Sequence, residues 1–139
     1  MNIIVTDTGF TPDQWSHGFV PLDQLAANDD DPVRAIDLRP DADVMVLQDD
    51  LDRIDLIRID FPSFADGRGF SLARNLRRMG FAGRLRAKGH VLADQYAMAR
   101  RAGFDEVEID QDLAARQPEE QWQARADWEA HDYQARLRG

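Results

Sequence analysis

Hydrophobic and polar positions alternate most cleanly between Ile54 and Asp60, where Ile54, Leu56, Ile57 and Ile59 stand against Asp55, Arg58 and Asp60. That period predicts a half-buried strand. Val44-Met45-Val46-Leu47 is a continuous apolar run of strand length, and Ile3-Ile4-Val5 is a shorter one expected to form an edge strand. Between residues 6 and 43 the pattern is broken by Gly9, Pro12, Gly18, Pro21, Pro32, Pro40 and the run Asp29-Asp30-Asp31. Such punctuation predicts loops, with one short helix near Leu22–Ala27. The aspartate run lacks the spaced ligands and glycine of a calcium loop and reads as a solvated turn. Asp49 and Asp50 can cap a single helical turn ending near Arg53.

Downstream the period lengthens. Leu72, Leu76 and Met79 share a helical face, with Ser71 as the expected N-cap and Gly80 as the residue just past the helix end. Arg84 to Arg86 can form a short strand. Leu92, Tyr96 and Ala99 line a second amphipathic helix that Gly103 ends, and Val107 and Ile109 alternate with Glu106, Glu108 and Asp110 in a further strand. Residues 119–137 are expected to form a C-terminal helix, with Pro118 near its start and Trp122, Ala126 and Trp128 among its apolar positions.

Two of these units are related. Arg77-Arg78-Met79-Gly80-Phe81 recurs as Arg100-Arg101-Ala102-Gly103-Phe104, 23 residues later. Each copy ends a helix at glycine and leads into a strand, so the phenylalanine is expected to plug the core beneath the corner. The arginines sit where the helix dipole favours cations. Successive β-α-β units follow, and with them a parallel sheet. The expected fold is a single α/β domain over residues 1–139: a loop-rich part (1–43), a β-α-β core (44–110) and a C-terminal helix (111–139). The core would hold three to five mostly parallel strands, resembling a partial β/α barrel or a small open three-layer sheet. Its uncovered strand edges point to a homodimer.

Composition narrows the function classes. The chain has 139 residues, 43% hydrophobic and 31% charged, which suits one globular domain. No apolar run approaches the roughly 18–20 residues of a membrane span, and Met1 to Thr8 lacks the features of a signal peptide, so a cytoplasmic location with no membrane partner is expected. Without cysteine the chain can supply no disulfide, thiolate nucleophile or cysteine-ligated metal centre. The net charge of −9 argues against nucleic-acid binding. That charge is unevenly spread. Residues 67–101 hold nine bases and one acid, for a net of +8, while residues 1–66 carry −11 and residues 102–139 carry −6. A basic island in an acidic chain reads either as a solvated helix surface or as a face for an anion or an acidic partner.

In a parallel α/β arrangement, ligands bind at the carboxyl ends of the strands. Two expected strand-to-helix loops, 61–71 and 87–95, fall in this stretch. They would place Asp66, Arg68, Ser71, Arg74, Lys88, His90, Asp94 and Gln95 on one edge, with Arg86 near it. Helix N-termini there offer backbone N–H groups, arginines offer planar forks that match oxyanions, and Gly67, Gly69 and Gly89 allow close approach. Each group also has a structural use: Asp66 with Arg68 as a loop ion pair, Asp94 in the first turn of its helix, Gln95 on a loop backbone. No dinucleotide fingerprint or P-loop is present. His17, His90 and His131 lack metal-ligand spacing, and no nucleophile elbow accompanies Ser71. Neither a metal nor a cofactor is expected.

The order and spacing of Phe61-Pro62-x-Phe64-x-Asp66-Gly67-Arg68-Gly69-Phe70-Ser71-x-Ala73-Arg74-x-Leu76-Arg77, then Gly83-x-Leu85-Arg86-Ala87-x-Gly89-x-Val91-Leu92-x-Asp94-Gln95, then Arg101-x-Gly103-Phe104-Asp105, resemble the bacterial family known as domain of unknown function 934. The resemblance implies an association with assimilatory sulfite reduction, in which members are described as oxidoreductases. It implies sulfite reductase, or another acidic protein, as the partner of an arginine-rich edge. The alternative is a small enzyme or sensor that binds sulfite, sulfate or a phosphate group between the two loops.

Overall fold

The computed structural model describes residues 2–15, 18–22 and 35–128. The Asp29–Asp31 run, His17, His131, the expected helix near residues 22–27 beyond Leu22, and positions 129–137 of the expected C-terminal helix lie outside them.

The described residues form a seven-stranded α/β sheet that does not close into a barrel. In chain order the strands are β1 (Ile3–Thr6), β2 (Gly9–Pro12), β3 (Val20–Pro21), β4 (Ala35–Leu38), β5 (Leu56–Phe61), β6 (Arg84–Gly89) and β7 (Glu106–Ile109). Across the sheet they run β2-β1-β7-β6-β5-β4-β3. β3 to β7 are parallel; β1 is antiparallel to both β7 and β2. Ile3-Ile4-Val5 is therefore an interior strand, because the turn at Asp7-Thr8 brings β2 back along it. The edge at β2 is closed in its own way. The Phe10 N–H donates to Glu119 Oε2 at 2.7 Å, and Pro12 has no N–H to offer.

Val44–Leu47 is a 3₁₀ turn and not a strand. Asp43 accepts the Met45 N–H with its side chain, and only Val44 and Leu47 face inward. A second such turn, Leu51–Arg53, stands where a helical turn was expected. The helices are α1 (Arg68–Arg78), α2 (Tyr96–Ala102, after a 3₁₀ turn at Ala93–Gln95), α3 (Gln111–Arg116) and α4 (Glu119–Gln123). The C-terminal region is thus two short helices, because Asp110 caps α3 and Pro118 restarts the chain as α4. α1 begins at Arg68, three residues before Ser71, so Ser71 is not the N-cap. The Asp66 carboxylate accepts the Arg68 N–H at that end instead. Among the described residues no helix is long and apolar enough to cross a membrane.

One face of the sheet carries the core. Ile57, Ile59, Phe61, Leu85, Ala87, Val107 and Ile109 join Phe70, Leu72, Ala73 and Leu76 of α1 and Ala99 of α2 in one buried cluster. The repeated corners behave as their sequence suggests. Phe81 and Phe104 are buried, and their N–H groups close onto Leu76 O and Ala99 O beyond Gly80 and Gly103. Arg77 donates to the carbonyls of Phe81 and Gly83, and Arg100 to that of Phe104.

The opposite face is polar. In register, Asp37, Arg58, Arg86 and Glu106 form one row across β4 to β7, and Asp60, Lys88 and Glu108 the next. The segment between β2 and β3, which lie on opposite edges, supplies a strap whose described residues stand over this face. The strap's described parts bring Asp13, Trp15 and Phe19 over the charges: the Phe19 ring lies 3.6 Å from the Arg58 guanidinium carbon, and Trp15 lies 6.0 Å from that of Arg84.

Candidate functional site

The loops after β5 and β6 do meet at the carboxyl edge of the sheet. Gln95 joins them: its Oε1 accepts the Leu92 N–H at 2.8 Å and its Nε2 donates to Phe64 O at 3.0 Å. The His90 N–H donates to Phe61 O at 2.9 Å, and its ring meets Phe64 edge-on at 5.2 Å. A cleft of about 160 Å³ opens here, lined by Phe64, Gly89, His90, Asp110, Leu113 and Arg116. Gly89 has φ +114 with Phe61 O only 2.7 Å from where a Cβ would stand, so the close approach of the two loops needs glycine.

The candidate residues divide among three places. Asp66, Arg68, Ser71 and Arg74 lie at the start and on the exposed side of α1. Arg68 and Asp66 form a two-point ion pair at 3.0 and 2.8 Å, and the guanidinium and amide of Arg68 hold the Asp66 carboxyl below its usual range. Asp94 and Gln95 lie before α2, where Asp94 is exposed and pairs with Arg125 at 2.9 Å. Arg86 and Lys88 stand on the polar face. Arg86 is thus mid-strand and turned away from the helices, not beside the edge, because the alternation of β6 sends Leu85 and Ala87 into the core. Arg68, Arg86 and Asp94 do not converge.

The groups that the sequence pattern hid are Glu106 and Glu108, which are buried. Arg86, with 1% of its side chain exposed, donates from Nε to Glu106 Oε2 at 2.6 Å. Its Nη1 donates to Glu108 Oε1 at 2.9 Å and to Asp13 Oδ2 at 3.3 Å. Arg84 takes Glu106 from the other side, and Arg58 links Asp37 to Glu108. Burial raises the Glu108 carboxyl, but donors from Asn2, Arg58 and Arg86 outweigh it, and the net shift is downward. Arginine and glutamate at alternate positions of adjacent strands were the available signal.

Lys88 apart, which stands on the polar face in register with Asp60, the basic island is consequently two populations. Arg77, Arg84, Arg86 and Arg100 are bound to Asp105, Glu106, Glu108, Asp13 and Asp7, acids that come from the flanking segments. Arg68, Arg74 and Arg78 are exposed along α1, and Arg101 is exposed on α2, which packs beside it. Among the described residues no group of three or more His, Cys, Asp or Glu could hold a metal ion.

The sequence pattern of the family described as bacterial protein of unknown function (DUF934) matches residues 35–139. The chain belongs to this family. No curated protein and no solved structure matches it. The DUF934 match begins at β4, so it includes the four parallel strands that build the carboxyl edge, both converging loops and the α1 face. Asn2 and Asp13, which complete the charge network, and the aromatic strap lie outside it.

Proposed function

We propose that this DUF934 protein is a cytoplasmic accessory protein of assimilatory sulfite reduction, which docks on an acidic surface of sulfite reductase or of another protein of that pathway. The pathway comes from the family resemblance. The supporting observation is the outer face of α1, where Arg68, Arg74 and Arg78 are exposed with Ser71 and Asn75 between them, in a helix that contains no acidic residue. Met98, 46% exposed, and Arg101 are exposed on α2, which packs beside α1. An apolar residue within a basic rim suits a partner with acidic groups around an apolar patch.

The test is binding of purified assimilatory sulfite reductase to the immobilised protein at rising salt. A complex that weakens with salt, and weakens roughly tenfold or more in Arg74→Glu/Arg78→Glu, is the expected result. Absence of a complex at low salt sinks the reading.

The cleft at the carboxyl edge favours a second reading, binding of a small oxyanion, because His90 and Arg116 line it beside the converging loops. Thermal unfolding with sulfite, sulfate and phosphate tests it. A bound anion must raise the transition temperature, and no shift at millimolar anion excludes it.

A further inference from the structure

The connection from β4 to β5 carries no α-helix, only the two 3₁₀ turns Val44–Leu47 and Leu51–Arg53, and the first of these packs beside α1. Val44 and Leu47 enter the core that α1 covers, which leaves Met45 and Val46 outside. At 56% and 57% exposure these are the most exposed large apolar side chains among the described residues. The charges beside them are one-sided. Residues 39–55 hold six aspartates against Arg39 and Arg53, a net of −4, whereas α1 holds four arginines and no acid, a net of +4. Asp41, Asp43, Asp49 and Asp52 are exposed. On α1, Arg77 is taken by Asp105, and Arg68, Arg74 and Arg78 are exposed.

Both segments run from the carboxyl edge of the sheet toward its amino edge, since each leaves one parallel strand and enters the next. They form two side-by-side stripes of opposite sign, with Met45 and Val46 on the acidic one. Within one molecule the stripes meet along their flanks, where Asp41 stands near enough to Arg68 to stabilise its charge. Their outward sides cannot pair with each other. A second copy can pair them. A two-fold axis parallel to α1, lying between the stripes, sets the acidic stripe of each copy over α1 of the other. The rotation keeps the direction of both segments, so Asp41 and Asp43 meet the start of the opposite α1 and Asp49 and Asp52 meet its end. Every contact is made twice, and the assembly closes at two copies. Single exposed ion pairs contribute little, but here several act together around an apolar centre. The aliphatic stems of the opposing arginines can cover Met45 and Val46.

We infer that the chain forms a two-fold homodimer through this face, the 39–55 stripe of each copy against α1 of the other. The inference does not rest on the docking reading, although both use α1: a dimer covers the face that an acidic partner needs, so the two associations compete. The test uses the full chain alone. In sedimentation velocity at low salt, the mass is expected to rise from 15.8 kDa to twice that value as concentration increases, and no further. The midpoint should move to about tenfold higher concentration or more when salt is raised from roughly 0.05 M to 0.5 M. Two reversals carry the decision. Arg74→Glu/Arg78→Glu makes both stripes acidic, and Asp49→Arg/Asp52→Arg makes both basic. Each variant alone is expected to remain monomeric, and an equimolar mixture of the two is expected to dimerise, which requires both to be folded. Should either double variant lose its circular-dichroism spectrum, the single reversals Arg78→Glu and Asp52→Arg take their places. The inference is overturned if the wild type stays monomeric at low salt up to about 1 mM, where even weak specific dimers are populated. It is equally overturned if both variants still dimerise, if their mixture does not, or if the wild type grows into a ladder of larger species, the mark of a head-to-tail contact.

Discussion

Arg86→Met removes the centre of the polar face while keeping a side chain of similar length. Three contacts vanish: Nε to Glu106 at 2.6 Å, Nη1 to Glu108 at 2.9 Å and Nη1 to Asp13 at 3.3 Å. The first two join buried, charged partners, and hydrogen bonds of that kind contribute about 1.5–3 kcal/mol each. Breaking a buried pair costs about 3–5 kcal/mol because a charge is left behind. Here each carboxylate keeps another donor, Arg84 on Glu106, and Arg58 with Asn2 on Glu108. The lower end therefore applies, about 3 kcal/mol, out of the roughly 5–15 kcal/mol that holds a domain together. Adding Glu106→Gln to the variant removes a buried charge and is expected to recover at least about 1 kcal/mol. The pH dependence fixes the cause. Glu108 is held below its ordinary value of 4.5 in the wild type, so its contribution is complete above that value and is lost as pH falls through the lower, folded-state value. In the variant Glu108 loses a donor while its burial remains, which moves its carboxyl upward. That weakens the stabilisation which its ionised form supplies, so the two proteins differ most above pH 4.5. The gap must narrow as pH falls from 7 to about 3, where Glu108 is protonated in both. Urea denaturation at both pH values measures it. A cost below about 1 kcal/mol, or an equal gap at both values, would refute the account of the network.

Three further substitutions test the packing. In an exposed helix Gly→Ala stabilises by about 1 kcal/mol, but Gly69→Ala is expected to destabilise by about 1–3 kcal/mol in the same assay, because its Cβ would stand 2.5 Å from Cζ of buried Phe61. Gly80 and Gly103 both have positive φ, yet a Cβ at Gly80 meets open space while one at Gly103 meets Arg77 Cγ at 2.6 Å. Gly80→Ala should cost the backbone strain of about 1–2 kcal/mol, and Gly103→Ala at least about 1 kcal/mol more; equal costs would show that Arg77 swings aside freely. Glu119→Ala removes the acceptor of the Phe10 N–H, and amide exchange at Phe10 should accelerate about tenfold or more if that carboxylate closes the β2 edge.

The elements legible in the sequence are those whose period decides their packing. β5, β6, β7, α1 and α2 all appear where alternation or a 3.6-residue repeat placed them, with ends shifted by a few residues. β5 runs from Leu56 to Phe61 because Ile54 ends the preceding turn, accepted into the core as the turn's C-cap. Val44–Leu47 was illegible because the Asp43 cap, a local hydrogen bond, overrides an apolar run too short to insist on a strand. β4 has only four residues amid prolines and aspartates, and β2 and β3 are defined by pairing that no local pattern announces. The candidate site divided for a related reason. The two loops were legible as loops and do converge, but the position of Arg86 depended on which face of β6 the helices would cover. Glu106 and Glu108 look like solvent-facing residues in a strand whose second face is wet. They are buried because a strap from the N-terminal part covers that face.

This division gives the basic island a testable structure of its own. If all nine bases acted as one patch, removing any of them would weaken binding to an acidic partner to a similar degree. The pairing instead places Arg77, Arg84, Arg86 and Arg100 opposite acids of the same chain, where their fields are largely cancelled at the surface. A partner at the α1 face would meet chiefly Arg68, Arg74, Arg78 and Arg101, the first of these already shared with Asp66. Substitutions should therefore separate. Arg77→Ala releases Asp105 and the carbonyls of Phe81, Gly83 and Gly103, and should lower stability by about 1–3 kcal/mol while the folded fraction binds normally. Arg74→Ala and Arg78→Ala should leave stability within about 0.5 kcal/mol and reduce the association rate, the more so at low salt. Measured side by side by urea denaturation and by binding to sulfite reductase, the opposite pattern would mean that the internal ion pairs open in the complex and that the island works as one surface.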